Sequence, residues 1–388
     1  MNNRIEQLDS IRGLAAFSVV LSHIPFFAIP MPYVMYQTLV WLGINNGHKA
    51  VMLFFLLSGF VLSLPFLKRK EVNYVPYVIK RVLRIYLPFL FVITFAIILS
   101  QIYWQEKVGI VGDWDLLWQT QISVELVINH VFLLGNYHTN AFNGVIWSLI
   151  HELRISLFFP LIVLLVKRVN WKIILFICLL LSIIAGLNTI YQFEQSNGYN
   201  TTFFKTIEYT IFFIFGSLMA KDKSTLIKIY REKHQSYKWC LLFVSLSFYN
   251  FSEITIGKLY ELSQIEALST HYSIITEYGI ALGCIGLVIS ALGSIRLEKV
   301  LLFRPLIFLG KISYSLYLIH LPIILVSIYL FHEVLSLWII SILAIVLSFI
   351  LSTVAWLFIE MPSQNLGRDL AKKANHKDGI PYSKKKAV

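Results

Sequence analysis

Ten apolar runs of about 20 residues each, the length that crosses a bilayer as an α-helix, recur along the chain. They cover roughly residues 11–29, 50–67, 85–102, 146–166, 171–190, 203–220, 239–255, 272–293, 306–330 and 334–359. The pattern predicts an all-α polytopic membrane protein with about ten transmembrane helices. Gly59 beside Ser58, and Gly279 with Gly283, are small residues within spans where helices can approach closely. Pro76 is expected to break any helix there, with a cationic helix face running on from Lys80. The long segment from Tyr103 to Val145 carries Asp113, Asp115, Glu125 and many aromatics, and reads as an ordered cap. Beyond Glu360 and Pro362 the chain turns polar and Lys-rich. The expected organisation is therefore a membrane-embedded domain over 1–362 and a disordered basic tail over 363–388.

Composition agrees with the pattern. With 57% hydrophobic and 14% charged residues and a mean hydropathy of +0.71, the chain has too little polar surface for a soluble globule. The net charge of +12 would suit nucleic acid, but its distribution gives another reading. If the N-terminus starts inside, 28 of the 33 Lys and Arg fall on the inner side, so both termini are expected in the cytoplasm and no nucleic-acid partner is implied. The first run holds Arg12 and His23 and lacks a small-residue cleavage site, so it reads as a retained span rather than a signal peptide. Cys178, Cys240 and Cys284 give neither a disulfide framework nor a zinc spacing, and no metal is expected. N-x-S/T matches at Asn200 and Asn250 are weak three-residue patterns.

Chemistry enters through the polar residues inside spans. Arg12 and His23, in LDSIRGLAAFSVVLSH, are eleven positions apart, about 20° past three full helical turns, and so share one face about 16 Å apart. Arg12 alone can snorkel to the interface and His23 alone can be a satisfied packing residue; two such groups on one buried face favour a functional reading. Lys80, Arg81 and Arg84 form the cationic face entering the third span. Such a cluster can bind anionic lipid, or converge with Arg12 and Lys311 on a phosphate-rich ligand. The tract WSLIHELRIS places His151, Glu152 and Arg154 in the fourth span, either as a structural charge pairing or with Glu152 orienting His23. The ninth span holds Tyr314, Ser315, Tyr317 and His320, with Tyr317 and His320 on one face; a hydrogen-bonded packing motif is the alternative.

These blocks together resemble the integral membrane acyltransferase family 3, whose members O-acylate cell-surface carbohydrates and related molecules. The resemblance covers about residues 6–362. It rests on the order and spacing of the Arg-x10-His pair, FFLLSGFVLS, KRVLRIYLP, WSLIHELRISLFFP, ISYSLYLIHLP and the closing IEMP. It implies a ten-helix core, an acyl-CoA donor, usually acetyl-CoA, and an essential pair of residues that fall on Arg12 and His23. The family more often reads E-x-x-F-Y in the fourth-span block, where this chain has Ile155 and Ser156, and commonly has Arg in the last motif, where this chain has Met361.

The expectation that follows is an acyl-CoA-dependent O-acetyltransferase of the plasma membrane, acting on a carbohydrate or glycolipid acceptor among membrane lipids. Arg12, Lys80, Arg81 and Arg84 would hold the phosphates of CoA. His23 would act as general base with Glu152 as its partner, and Tyr314, Tyr317 and His320 would be substrate-side residues. Acylation of His23 itself is the other course. A competing class is an exporter of surface-polysaccharide intermediates, whose expected mark, paired broken helices in two related halves, is not seen.

Overall fold

The computed structural model describes residues 5–24, 34–35, 38, 47–68, 73–103, 118–265 and 271–377. Among them the chain is helical with no strand. In order the helices are α1 (Glu6–Ser22), α2 (Gly47–Lys68), α3 (Tyr74–Ile102), α4 (Val124–Phe132), α5 (Trp147–Arg168), α6 (Trp171–Tyr191), α7 (Phe203–Lys221) and α8 (Lys223–Glu232). They continue with α9 (Gln235–Ser263), α10 (Tyr272–Gly293), α11 (Ile295–Leu301), α12 (Arg304–Phe331), α13 (Leu337–Ala355) and α14 (Met361–Lys377). Nine of the described helical segments are long and apolar enough to cross a membrane. α1, at 17 residues, packs among them along α12 and α2. The spans predicted from the sequence therefore appear, with ends shifted by several residues at most of them.

Burial separates the helices into two sets. α2, α5, α7 and α12 are mostly buried, whereas α6, α9 and α13 keep most of their apolar surface on the outside, as lipid-facing helices should. The inner helices meet at small residues. A Cβ on Gly13 of α1 would lie 2.6 Å from the backbone nitrogen of Gly310 in α12, and one on Gly59 of α2 would lie 2.6 Å from Cα of Phe213 in α7. Backbones thus touch directly, the expected use of glycine where no hydrophobic force separates helix from lipid. Gly279 and Gly283 likewise face α9, at Ser252 and Tyr249.

Prolines tie the bundle together through the carbonyls they release. Pro160 has no N–H for the carbonyl of Ser156, which accepts instead from the Tyr77 hydroxyl at 2.9 Å, joining α3 to α5. Pro322 frees the carbonyl of Leu318, which accepts from Asn143 Nδ2 at 2.9 Å. Pro76 does not break its helix. It sits in the first turn of α3, where its missing N–H would have had no partner anyway.

After α3, Trp118 forms a cluster of near-parallel rings with Tyr103 and Tyr329, at 6.3 and 5.9 Å, the two tyrosines being 5.2 Å apart, and donates from Nε1 to the Phe142 carbonyl at 2.8 Å. Asp113 and Asp115 lie outside the described residues. The expected disorder from residue 363 is corrected for 363–377. A π-helical turn, Trp356–Glu360, carries α13 into α14, which folds back along α3, with Ala371 fully buried and Asn73 Nδ2 donating to Asn375 Oδ1 at 2.7 Å. Residues 378–388 lie outside the described residues.

Candidate active site

Polar residues buried in the bundle gather along one line between its two faces. At one end, where α1 stops and α2 begins, a cavity of about 560 Å³ is lined by His23, His48, His138, Asn140, Tyr199 and Tyr317, among others. At the other end a cavity of about 300 Å³ is lined by Lys80, Arg81 and Arg84 from α3, with Pro65, Tyr77 and Asn375. Between them lies a throat of about 30 Å³, bordered by Arg12, Ser58, Ser148, Glu152, Tyr314 and Tyr317. Val51 and Tyr317 line both throat and larger cavity, and Arg81 of the smaller cavity is ion-paired with Glu152 of the throat.

His23 caps the C-terminal end of α1. Its Nδ1 lies 2.8 Å from the carbonyl of Val19 and 3.4 Å from Nε2 of His320. Nδ1 facing a carbonyl carries the proton, which leaves Nε2 of His23 with its lone pair. His320 is held the same way, its Nδ1 3.0 Å from the carbonyl of Leu316, so its Nε2 is free to accept from His23. The two imidazoles form a pair with ring centres 5.1 Å apart.

Glu152 is not the partner of His23. Its Oε1 takes the ion pair from Arg81 and a hydrogen bond from Ser58 at 3.1 Å, and Arg12 and Arg84 are within electrostatic reach. A carboxylate inside the bundle goes to guanidinium groups, with which it forms charge-assisted hydrogen bonds, and the side chain that neighbours His23 in its place is His320. Arg81 is fixed further by Ser156 Oγ at 2.8 Å, at the position where the sequence departs from the family pattern. Arg84 and Arg12 approach the same cluster from α3 and α1, and Glu360 approaches from the π-helical turn. Ser315 donates to Glu360 at 2.7 Å. Arg12 Nε is buried without a hydrogen-bond partner. Lys80 lines the cationic cavity but is itself exposed, and Lys311 points away as an exposed residue.

The tyrosines divide. Tyr317 sits at the junction of throat and larger cavity, its hydroxyl 2.6 Å from Ser148 Oγ and 2.7 Å from the Val145 carbonyl. The hydroxyl of Tyr314 donates to the Ile85 carbonyl at 2.7 Å, which ties α12 to α3 from the throat side. Arg154 and His151 are engaged elsewhere: Arg154 donates to the carbonyls of Leu134, Gly135, Thr201 and Thr202 and to Thr206, and His151 donates from Nε2 to the Asn200 carbonyl, which leaves its Nδ1 as an acceptor 2.9 Å from Thr206 Oγ1.

Sequence reasoning passed over the second histidine of the large cavity. His48 Nε2 is 2.6 Å from Glu277 Oε1, and its ring stacks on Trp147 at 5.8 Å with planes 12° apart. The available signal was Glu277, a lone carboxylate in a transmembrane run, which by itself marks a position needing explanation.

The chain matches a family model described as an acyltransferase domain over residues 5–357. Comparison with curated proteins and with solved structures gives no significant match.

Proposed function

Since the chain belongs to acyltransferase family 3, we propose that it moves an acyl group, most simply acetyl, from acyl-CoA to a hydroxyl of a cell-surface carbohydrate or its lipid-linked precursor, in the plasma membrane. The observation that carries this reading is the line from the cationic cavity through the throat to His23. Acyl-CoA combines a phosphate-rich head with a long thin arm ending in a thioester. Lys80, Arg81 and Arg84 suit the phosphates, since guanidinium groups bind them with paired charge-assisted hydrogen bonds. At about 30 Å³ the throat would have to widen to admit an extended pantetheine arm, and a saccharide would need a far larger opening. An exporter of polysaccharide units would need the opposite proportions.

In the large cavity the acceptor hydroxyl gives its proton to Nε2 of His23 as its oxygen attacks the thioester carbonyl. The Nδ1–H bonds to Val19 and His320 hold the ring in the tautomer that this step requires. The tetrahedral intermediate places negative charge on the former carbonyl oxygen, and the Tyr317 hydroxyl at the junction would turn from the Val145 carbonyl to donate to it. Collapse breaks the C–S bond, and the imidazolium of His23 returns its proton to the thiolate, so the ester and free CoA leave with no net change in protons. Arg12, bordering the throat eleven residues before His23, contributes a fixed positive charge beside the donor's path. The cationic end is read as cytoplasmic, because acyl-CoA is made there and basic residues concentrate at that end.

Protein purified in detergent should release free CoA from acetyl-CoA when an acceptor is present. His23→Gln should insert and fold normally but lose about two to four orders of magnitude in turnover, the usual worth of a positioned base. Near wild-type turnover in that variant would remove His23 from the chemistry.

A further inference from the structure

Arg154 and His151 are buried side chains in α5 that take no part in the line from cationic cavity to His23; besides its bonds to the Leu134 and Gly135 carbonyls, Arg154 shares one target with His151. Arg154 Nη1 donates to the carbonyls of Thr201 and Thr202 at 3.0 and 3.2 Å, and His151 Nε2 lies 2.7 Å from the carbonyl of Asn200. All three carbonyls belong to the connection between α6 and α7. Asn136 grips the same connection from the cap segment: its Oδ1 accepts from Asn197 N at 2.9 Å and from the Thr201 hydroxyl at 2.6 Å. Asn200 itself adopts a left-handed backbone, φ 55°, which asparagine accepts more readily than most side chains. Loops normally carry few such constraints.

Of residues 192–202, Tyr199 alone lines the large cavity. Its side chain is half exposed, at 50%, and an edge contact with Trp147, with ring centres 5.3 Å apart and planes at 70°, sets its orientation. Burial and the nearby carboxylates of Glu277 and Glu253 push its phenol above the ordinary range, so the hydroxyl stays protonated. A fixed aromatic face beside hydrogen-bonding groups such as His138 and Asn140 suits one class of ligand: a pyranose, whose axial C–H groups form an apolar face and whose hydroxyls project around its rim.

We propose that Tyr199 is the acceptor-recognition residue, stacking on the apolar face of a sugar ring so that one hydroxyl reaches His23, and that Arg154 and His151 are positioning residues that hold the Tyr199 loop. This rests on the acyltransferase reading above and names its acceptor subsite. The α6–α7 connection would then set which sugar is modified, separately from the donor cavity.

The test uses full-length protein in detergent, radiolabelled acetyl-CoA, and a panel of methyl hexopyranosides as acceptors. Wild type should acylate at least one glycoside. For that glycoside Tyr199→Leu should raise the acceptor KM about tenfold or more, the scale of an aromatic face contact together with its burial, while the KM for acetyl-CoA moves less than twofold. Tyr199→Trp and Tyr199→Phe should retain most of the affinity, because they keep the ring. Arg154→Gln should raise the acceptor KM in the Tyr199 background but add little to Tyr199→Leu; where Arg154→Gln fails to fold, the ring series alone decides. An unchanged acceptor KM in Tyr199→Leu overturns the recognition role and leaves the acyltransferase reading standing. CoA release with transfer to no pyranoside overturns the carbohydrate acceptor, and this subsite with it.

Discussion

Arg81 and Arg84 are three residues apart on one helix, yet their surroundings give them different work. Arg81 is buried and fully engaged, by Glu152 and Ser156; Arg84 makes no hydrogen bond within the described residues and lines the cationic cavity. Arg84→Ala should therefore raise the KM for acyl-CoA about tenfold or more, since a hydrogen bond to a charged group contributes about 1.5–3 kcal/mol, with the acceptor KM nearly unchanged. Arg81→Ala should also lower thermal stability in detergent, because it strands the Glu152 carboxylate, a loss of about 3–5 kcal/mol for a broken buried pair. Adding Glu152→Gln should recover much of that stability. Equal KM changes for both substrates in Arg84→Ala would remove it from the donor site. This distinction was not legible in the sequence, where Lys80, Arg81 and Arg84 look equivalent. Their presence inside the membrane could be read from spacing; which of them already had a partner depends on how α3 meets α5.

At the scale of helices, the apolar runs located every span, because twenty residues without water must satisfy their backbone internally whatever the tertiary fold. The errors came where tertiary contacts override local composition. Pro76 and the polar stretch after residue 363 both looked like breaks and are both helical, one because proline suits a first turn and the other because α14 packs on α3. Pairings between helices were likewise hidden: Glu152 was matched to His23 on depth alone, and His320, known only to share a face with Tyr317, proved to be the neighbour. The α1–α12 contact that brings His23 to His320 depends on Gly13 and Gly310. Gly13→Ala should cost about 1–3 kcal/mol, the usual penalty for overpacking, seen as a lower melting temperature and reduced turnover together. Leu14→Ala, at an exposed neighbouring position, should change neither by much. A Gly13→Ala protein as stable as wild type would mean that the two helices do not meet at this point.

For the whole molecule, counting α1 as a crossing with the nine longer spans puts the start of α1 and α14 at one face, and we propose from the excess of basic residues that this face is the cytoplasmic one. In a cysteine-free background, a cysteine at Ser224 should react with an impermeant maleimide only after the membrane is opened, and one at Ser123 should react in intact cells. The reverse pattern would turn the protein over and assign the cationic cavity to the wrong compartment for acyl-CoA. The throat between the cavities has a further consequence. At about 30 Å³ it has room for only a few water molecules, and the guanidinium of Arg12 and the Arg81–Glu152 pair stand along it. So small a gap beside fixed positive charge is a poor conductor of protons and cations. Cavities at both ends of the bundle would otherwise form a leak; a constriction this small, held by charge, would let the proposed enzyme take substrates at both ends without dissipating an ion gradient.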